Sequence, residues 1–227
     1  MVIESRSTYE EMLQHISGKE VYAVPIRDDF RTHPAESNIV LMSLACQDKT
    51  YHVVYHHTES LTPGFELNDL SCVKRFWVED VKQFYHLTKF ENAYEIKLNC
   101  WINDTEFKEL ELPDVFRHVY SNSNNNRESN KRVPIFKVVE YAKERLTNLL
   151  LHSESLCASK PFIKYNQALL GLAKMESNGL RIVPGSYHNT FKNGYAFCNY
   201  SINTVTGRPS NTFNGVNFGA LNKNDGT

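Results

Sequence analysis

Three β-rich runs, residues 20–27 (EVYAVPIR), 38–46 (NIVLMSLAC) and 50–56 (TYHVVYH), follow one another with only polar turns between them. Parallel neighbours need a long crossover, so strands this closely spaced pair antiparallel. The runs predict an antiparallel meander opening a mixed sheet. That start commits the chain to an α/β architecture once helices are found on both sides of it.

Helical periodicity supplies them. Residues 7–16 predict a short helix with Ser7 and Glu10 at capping-box spacing, Tyr9, Met12, Leu13 and Ile16 on one face, and Gly18 as a stop. Residues 79–90 predict a second, with Val81, Phe84, Tyr85 and Leu87 apolar, acidic residues at its start and Lys89 at its end, as the helix dipole favours. Pro134 opens an amphipathic helix running to about residue 152, in which Ile135, Val138, Val139, Ala142, Leu146, Leu149 and Leu150 recur at helical spacing. A further helix over 161–177 places Tyr165, Leu169, Leu172 and Met175 on one face and ends at Asn178-Gly179. Residues 121–131 contain no apolar side chain and predict a solvated loop. The tail after 179, rich in Asn, Gly, Tyr and Thr, predicts hairpins and turns.

Composition narrows the function. The chain of 227 residues carries 25 Lys and Arg against 26 Asp and Glu, so contact with nucleic acid has to come from a local cluster rather than the net field. Five cysteines without a Cys-x-x-Cys pair argue against a disulfide framework or a zinc site and suit a reducing, cytoplasmic setting. No secretory leader and no run long enough to span a membrane is present, and no membrane partner is expected. His52, His56 and His57 form no metal-ligand spacing and read as polar surface. Lys131, Arg132, Lys137, Lys143 and Arg145, diluted by Glu140 and Glu144, read as the wet face of a helix. The aromatics Tyr187, Phe191, Tyr195, Phe197 and Tyr200, interleaved with Lys192, could stack bases but more simply anchor an irregular tail.

The segment Thr206-Gly207-Arg208-Pro209-Ser210-Asn211, preceded by LAKMESNGLRI at 172–182 and followed by GVNFGALNKNDG at 215–226, resembles the region of phage-type family A DNA polymerases where thumb meets palm. The resemblance implies a degenerate 3'-5' exonuclease-like domain of RNase H-like fold over residues 1–152, then a partial polymerase domain, thumb base and palm entry, over 153–227. It implies that Arg208 reaches the minor groove near a primer end, with Thr206, Ser210 and Asn211 on backbone phosphates, and that the partners are primer-template DNA and a separate chain carrying palm and fingers. Magnesium is expected only with a complete polymerase; no catalytic or metal-binding residue and no cofactor is assigned to this chain.

The same resemblance tests the first strand. The family carries Asp-x-Glu there to hold two divalent ions; aligned by its strand, this chain has Pro25 and Arg27 at those positions. Proline offers no ligand and a guanidinium repels cations. Glu95 stands where the family has a later metal-binding aspartate. Two other readings remain: a divergent metal-dependent exonuclease built on Asp28 or Asp29, Glu95 and Asp104, and a non-catalytic module that docks a replication protein.

Overall fold

The computed structural model describes residues 1–28, 34–59, 64–103, 132–153, 156, 158–181, 195–197, 199–201 and 210–212. It divides into two compact units, Met1–Asn166 and Gln167–Thr227.

The first unit is built on the predicted meander. β2 (Glu20–Arg27), β3 (Ile39–Cys46) and β4 (Lys49–Val54) are antiparallel in succession, and a two-residue β1 (Val2–Ile3) lies parallel to β4 at the edge. On the other side of β2, β5 (Arg75–Val78) and β6 (Ala93–Glu95) add in parallel, giving the order β1-β4-β3-β2-β5-β6. Leaving the edge β1 aside, the strands run third, second, first, fourth, fifth, with the second antiparallel to the rest. This is the RNase H-like arrangement that the sequence led us to expect. All eight residues of β3 are buried, as a strand covered on both faces must be.

α1 (Arg6–Ile16) buries Tyr9, Met12 and Ile16. Its cap is Ser5 rather than Ser7: the Ser5 hydroxyl accepts from the Thr8 N–H at 3.2 Å, and Ser7 lies within the first turn. The helix stops where Gly18 takes φ +69°. α2 (Val81–Thr88) starts from Asp80, whose side chain accepts from the Gln83 N–H at 2.9 Å, and ends on Lys89 at φ 63°. It buries Val81 and Phe84, as the apolar pattern suggested, together with His86 and Thr88, and leaves Tyr85 and Leu87 half-buried. α3 (Ile96–Asn103) follows β6 directly.

α4 (Ile135–Leu151) matches its predicted span and packs on β2 and β3. Its first turn is served from a distance, since the Glu59 carboxylate accepts from the Ile135 N–H at 3.0 Å. His57 belongs to the same latch: its Nε2 lies 2.8 Å from the Val133 carbonyl, and its Nδ1 accepts from the Glu59 N–H at 3.0 Å. His52 is fully buried, with Nδ1 2.7 Å from the Ser43 hydroxyl. Burial first, then the Met1 ammonium and Lys143, pull its pKa down to about 4, so it is neutral at physiological pH. Two of the three histidines are therefore internal ties; only His56 is the surface residue expected.

α5 (Lys160–Asn178) begins in the first unit and continues through the second. Its period was read correctly and its face was not: Phe162, Asn166, Leu169, Leu170, Ala173 and Glu176 are buried, while Tyr165 and Met175 are exposed. In the second unit, β7 (Leu180–Arg181) pairs antiparallel with β8 (Tyr195–Ala196), and β9 (Asn199–Ser201) with β10 (Ser210–Thr212). The Glu176 carboxylate accepts from the Tyr200 N–H at 2.6 Å, tying α5 to β9. No helix among the described residues is long and apolar enough to cross a membrane.

Candidate nucleic-acid site at the sheet's carboxyl end

The chain leaves β2 toward β3 and β4 and returns to β5 on the opposite side, so the carboxyl end of β2 is the switch point of the sheet, where α/β folds place their ligands. The register brings Ala23 of β2, Val78 of β5 and Glu95 of β6 into one row. Pro25 lies two residues beyond that row, about 7 Å at strand rise. The β2–β5 ladder stops at Ala23, so a residue with no N–H to donate costs that ladder nothing. A register irregularity between Ile26 and Arg27 on the β3 side follows, and Arg27 is 9% exposed.

One residue past the row, Glu79 carries the feature that the sequence did not disclose. Its Oε2 accepts from Arg145 Nε at 3.0 Å and from Arg145 Nη2. The guanidinium carbon sits 5.5 Å from the Tyr141 ring centroid. Arg145, read as part of a wet helix face, is buried on α4 beside Tyr141, Ala142, Leu146 and Leu149. The signal was present in the helical period, because Arg145 falls three and four residues from Ala142, Tyr141 and Leu149 and so within the apolar stripe.

Glu95 closes the other side. Its Oε2 accepts from the Val81 N–H at 3.0 Å at the start of α2. Burial, reinforced by the neighbouring Asp80 and opposed by that N–H, pushes its pKa up to about 8, so the carboxyl is largely protonated at neutral pH. Asn166 of α5 pins the backbone on either side of Tyr94: its Oδ1 accepts from the Glu95 N–H and its Nδ2 donates to the Ala93 carbonyl, each at 2.9 Å. Asn166 was not singled out from sequence, although a buried polar residue four positions after Phe162 marks a specific tie.

The fold class implies a two-metal centre at this end of the sheet, and the residues present do not fit one. Pro25 has no side-chain donor atom, Arg27 and Arg145 are cations, Glu79 is engaged by Arg145, and Glu95 is engaged by the Val81 N–H. Asp28 is committed to a turn, since its carboxylate accepts from the Asn38 N–H at 3.1 Å and from Asn38 Nδ2 at 3.2 Å. Among the described residues no group of three His, Cys, Asp or Glu side chains that could hold a metal comes together.

The structure places Pro25, Arg27 and Glu95 at one end of the sheet. Thr206, Arg208, Asp29, Asp104, Lys131, Tyr187, Phe191 and Lys192 lie outside the described residues. Ser210 and Asn211 have described backbone only, in β10 opposite Ser201 and Tyr200.

Solved structures share this architecture. The chain is similar to RNase D from Trypanosoma brucei, with a TM-score of 0.55 and 12% identity, over 86% of this chain and 77% of that one. It is also similar to Escherichia coli RNase D, an exoribonuclease involved in structured RNA processing, with a TM-score of 0.50 and 8% identity over 79% of this chain. It spans about half of the bacterial protein's length, 51%. No protein-family model and no curated protein matches. The likeness shows the fold: an RNase H-like α/β fold shared with these exonuclease structures.

Proposed function

We propose that this chain is a nucleic-acid-binding portion of a replicative protein: an exonuclease-type domain that has given up metal-dependent hydrolysis, joined to the thumb-base region of a phage-type family A DNA polymerase. The observation that carries the first half is the Arg145–Glu79 pair one residue beyond β5, with Pro25 and Arg27 at the carboxyl end of the adjacent β2. These residues supply fixed positive charge where the fold's chemistry calls for carboxylates. The second half rests on the Thr206–Asn211 segment. Its partners in this reading are primer-template DNA and a separate chain supplying palm and fingers, with magnesium entering only in the assembled polymerase.

A domain of this kind binds strands without needing a divalent ion. With net charge near −1, affinity is modest and falls as salt rises, because few phosphates are neutralised. Fluorescence anisotropy with a labelled primer-template in EDTA should detect binding, and Arg208→Ala should weaken it by about five- to tenfold, the scale of one lost charged contact. Unchanged affinity in Arg208→Ala would remove the polymerase assignment of that segment.

The likeness to RNase D favours a second reading more directly than it favours a polymerase scaffold: a divergent 3'-5' exonuclease acting through Asp28 or Asp29, Glu95 and Asp104. Its mark is metal-dependent shortening of a single strand, lost in Asp28→Ala or Asp29→Ala. The engagement of Asp28 with Asn38 and the protonation of Glu95 both weigh against it.

A further inference from the structure

Trp101 on α3 and Tyr165 on α5 are large aromatic side chains left 43% and 47% exposed, yet they meet edge to face, with centroids 6.5 Å apart and ring planes at 88°. The elements carrying them are firmly held. Phe162, one turn before Tyr165, is fully buried and stacks on Trp77 at 6.1 Å and 15°; Asn166, the next residue, pins the end of β6. The exposure therefore belongs to docked helices. Water-facing aromatic surface of this kind is characteristic of a contact surface.

Within the two helix segments that carry the pair, the formal charge has one sign. Within α3 and the first seven residues of α5, Lys97, Lys160 and Lys164 are the only ionisable groups apart from Cys100 and Tyr165 themselves. Lys160 and Lys164 are exposed, and Lys97 lies one turn from Trp101 on the same helix face. The acids that immediately flank α3 in sequence are Glu95 before it and Asp104 after it, so the three lysines outnumber them. Flat π-faces flanked by ammonium groups match a polyanion that carries planar bases.

We propose that Trp101 and Tyr165, flanked by Lys97, Lys160 and Lys164, form a stacking platform for the bases of a single nucleic-acid strand arriving at the carboxyl end of the sheet. The proposal rests on the nucleic-acid reading above and deepens it. α3 starts at the residue after Glu95, and Tyr165 precedes Asn166, so the platform adjoins the degenerate centre. Stacking is blind to sequence and to the sugar, so DNA and RNA share the chemistry, and parallel oligothymidine and oligouridine arms separate them.

The chain has two tryptophans, and Trp77 is only 4% exposed, so a ligand that stacks at the surface quenches the Trp101 part of the intrinsic emission. Titrating the full chain with either oligonucleotide should quench that emission. Trp101→Ala should abolish the quench and weaken binding roughly five- to hundredfold, the loss expected for one stacked base, while Trp101→Phe keeps most of the affinity. An abasic strand of equal length should bind wild type as weakly as the intact strand binds Trp101→Ala. A triple Lys97→Gln, Lys160→Gln, Lys164→Gln variant should flatten the salt dependence and leave the preference for bases over abasic sites intact. If wild type and Trp101→Ala bind equally, or the abasic strand binds as well as the intact one, the platform is wrong while the nucleic-acid reading stands. If wild type binds neither strand nor primer-template, both fall.

Discussion

Replacing Arg145 by alanine is expected to destabilise the first unit by about 2–3 kcal/mol, below the cost of orphaning a fully buried charge because the Glu79 side chain is 24% exposed. The magnitude follows from where the pair sits. Arg145 is 9% exposed and Glu79 receives two of its N–H groups, while the 24% exposure of Glu79 lets water replace part of the lost partner. Urea unfolding followed at Trp77, a core neighbour of the same sheet, measures it. The double variant Arg145→Met, Glu79→Leu should recover most of the loss, because apolar side chains of similar volume commonly equal a buried ion pair in stability. A loss below about 1 kcal/mol in Arg145→Ala would place the pair among ordinary surface contacts, and the reading of a built-in cation would go with it.

Glu95→Gln acts in the opposite direction. The folded chain holds this carboxyl at a pKa of about 8 against an ordinary 4.5. Between those values the folded state keeps a proton that the unfolded state has released, so stability is greatest below pH 4.5 and declines as pH rises toward 8, by about 1.4 kcal/mol per unit. Glutamine retains an acceptor for the Val81 N–H and has no proton to lose. The variant should therefore match wild type near pH 4 and exceed it by about 3 kcal/mol at pH 7. Denaturation midpoints across that range test the slope. A wild-type chain with no such decline, or a variant with the same one, would return Glu95 to the ionised state that a metal ligand needs.

Both predictions concern residues whose roles a linear reading could not weigh. The strands of the meander were legible because β-branched and aromatic runs separated by short polar turns leave antiparallel pairing as the only economical solution. α4 was legible to within a residue because Pro134 and seven apolar positions agree on one phase. The buried face of α5 and the polar part of that of α2 were not, since what decides them is which neighbour each helix meets. His86 and Thr88 of α2 are buried, and Asn166 of α5 is buried because backbone groups of Ala93 and Glu95, more than 70 residues away, require its amide. Arg145 shows the same limit: charge suggested solvent, while a carboxylate 66 positions earlier decided burial. Pro25, Arg27 and Glu95, by contrast, were assigned together only through the family resemblance, and the sheet places them at one end.

The account thus turns on what stands at the carboxyl end of β2. Where a two-metal nuclease of this fold needs ionised carboxylates, the chain presents a proline, two arginines, a glutamate engaged by one of them and a second glutamate that keeps its proton. The most direct test is to incubate the purified chain with a 5'-labelled single strand in magnesium or manganese and follow strand length. The account predicts that the strand is bound and keeps its full length with either metal. A ladder of shortened products that disappears on adding EDTA and in Asp28→Ala would contradict it.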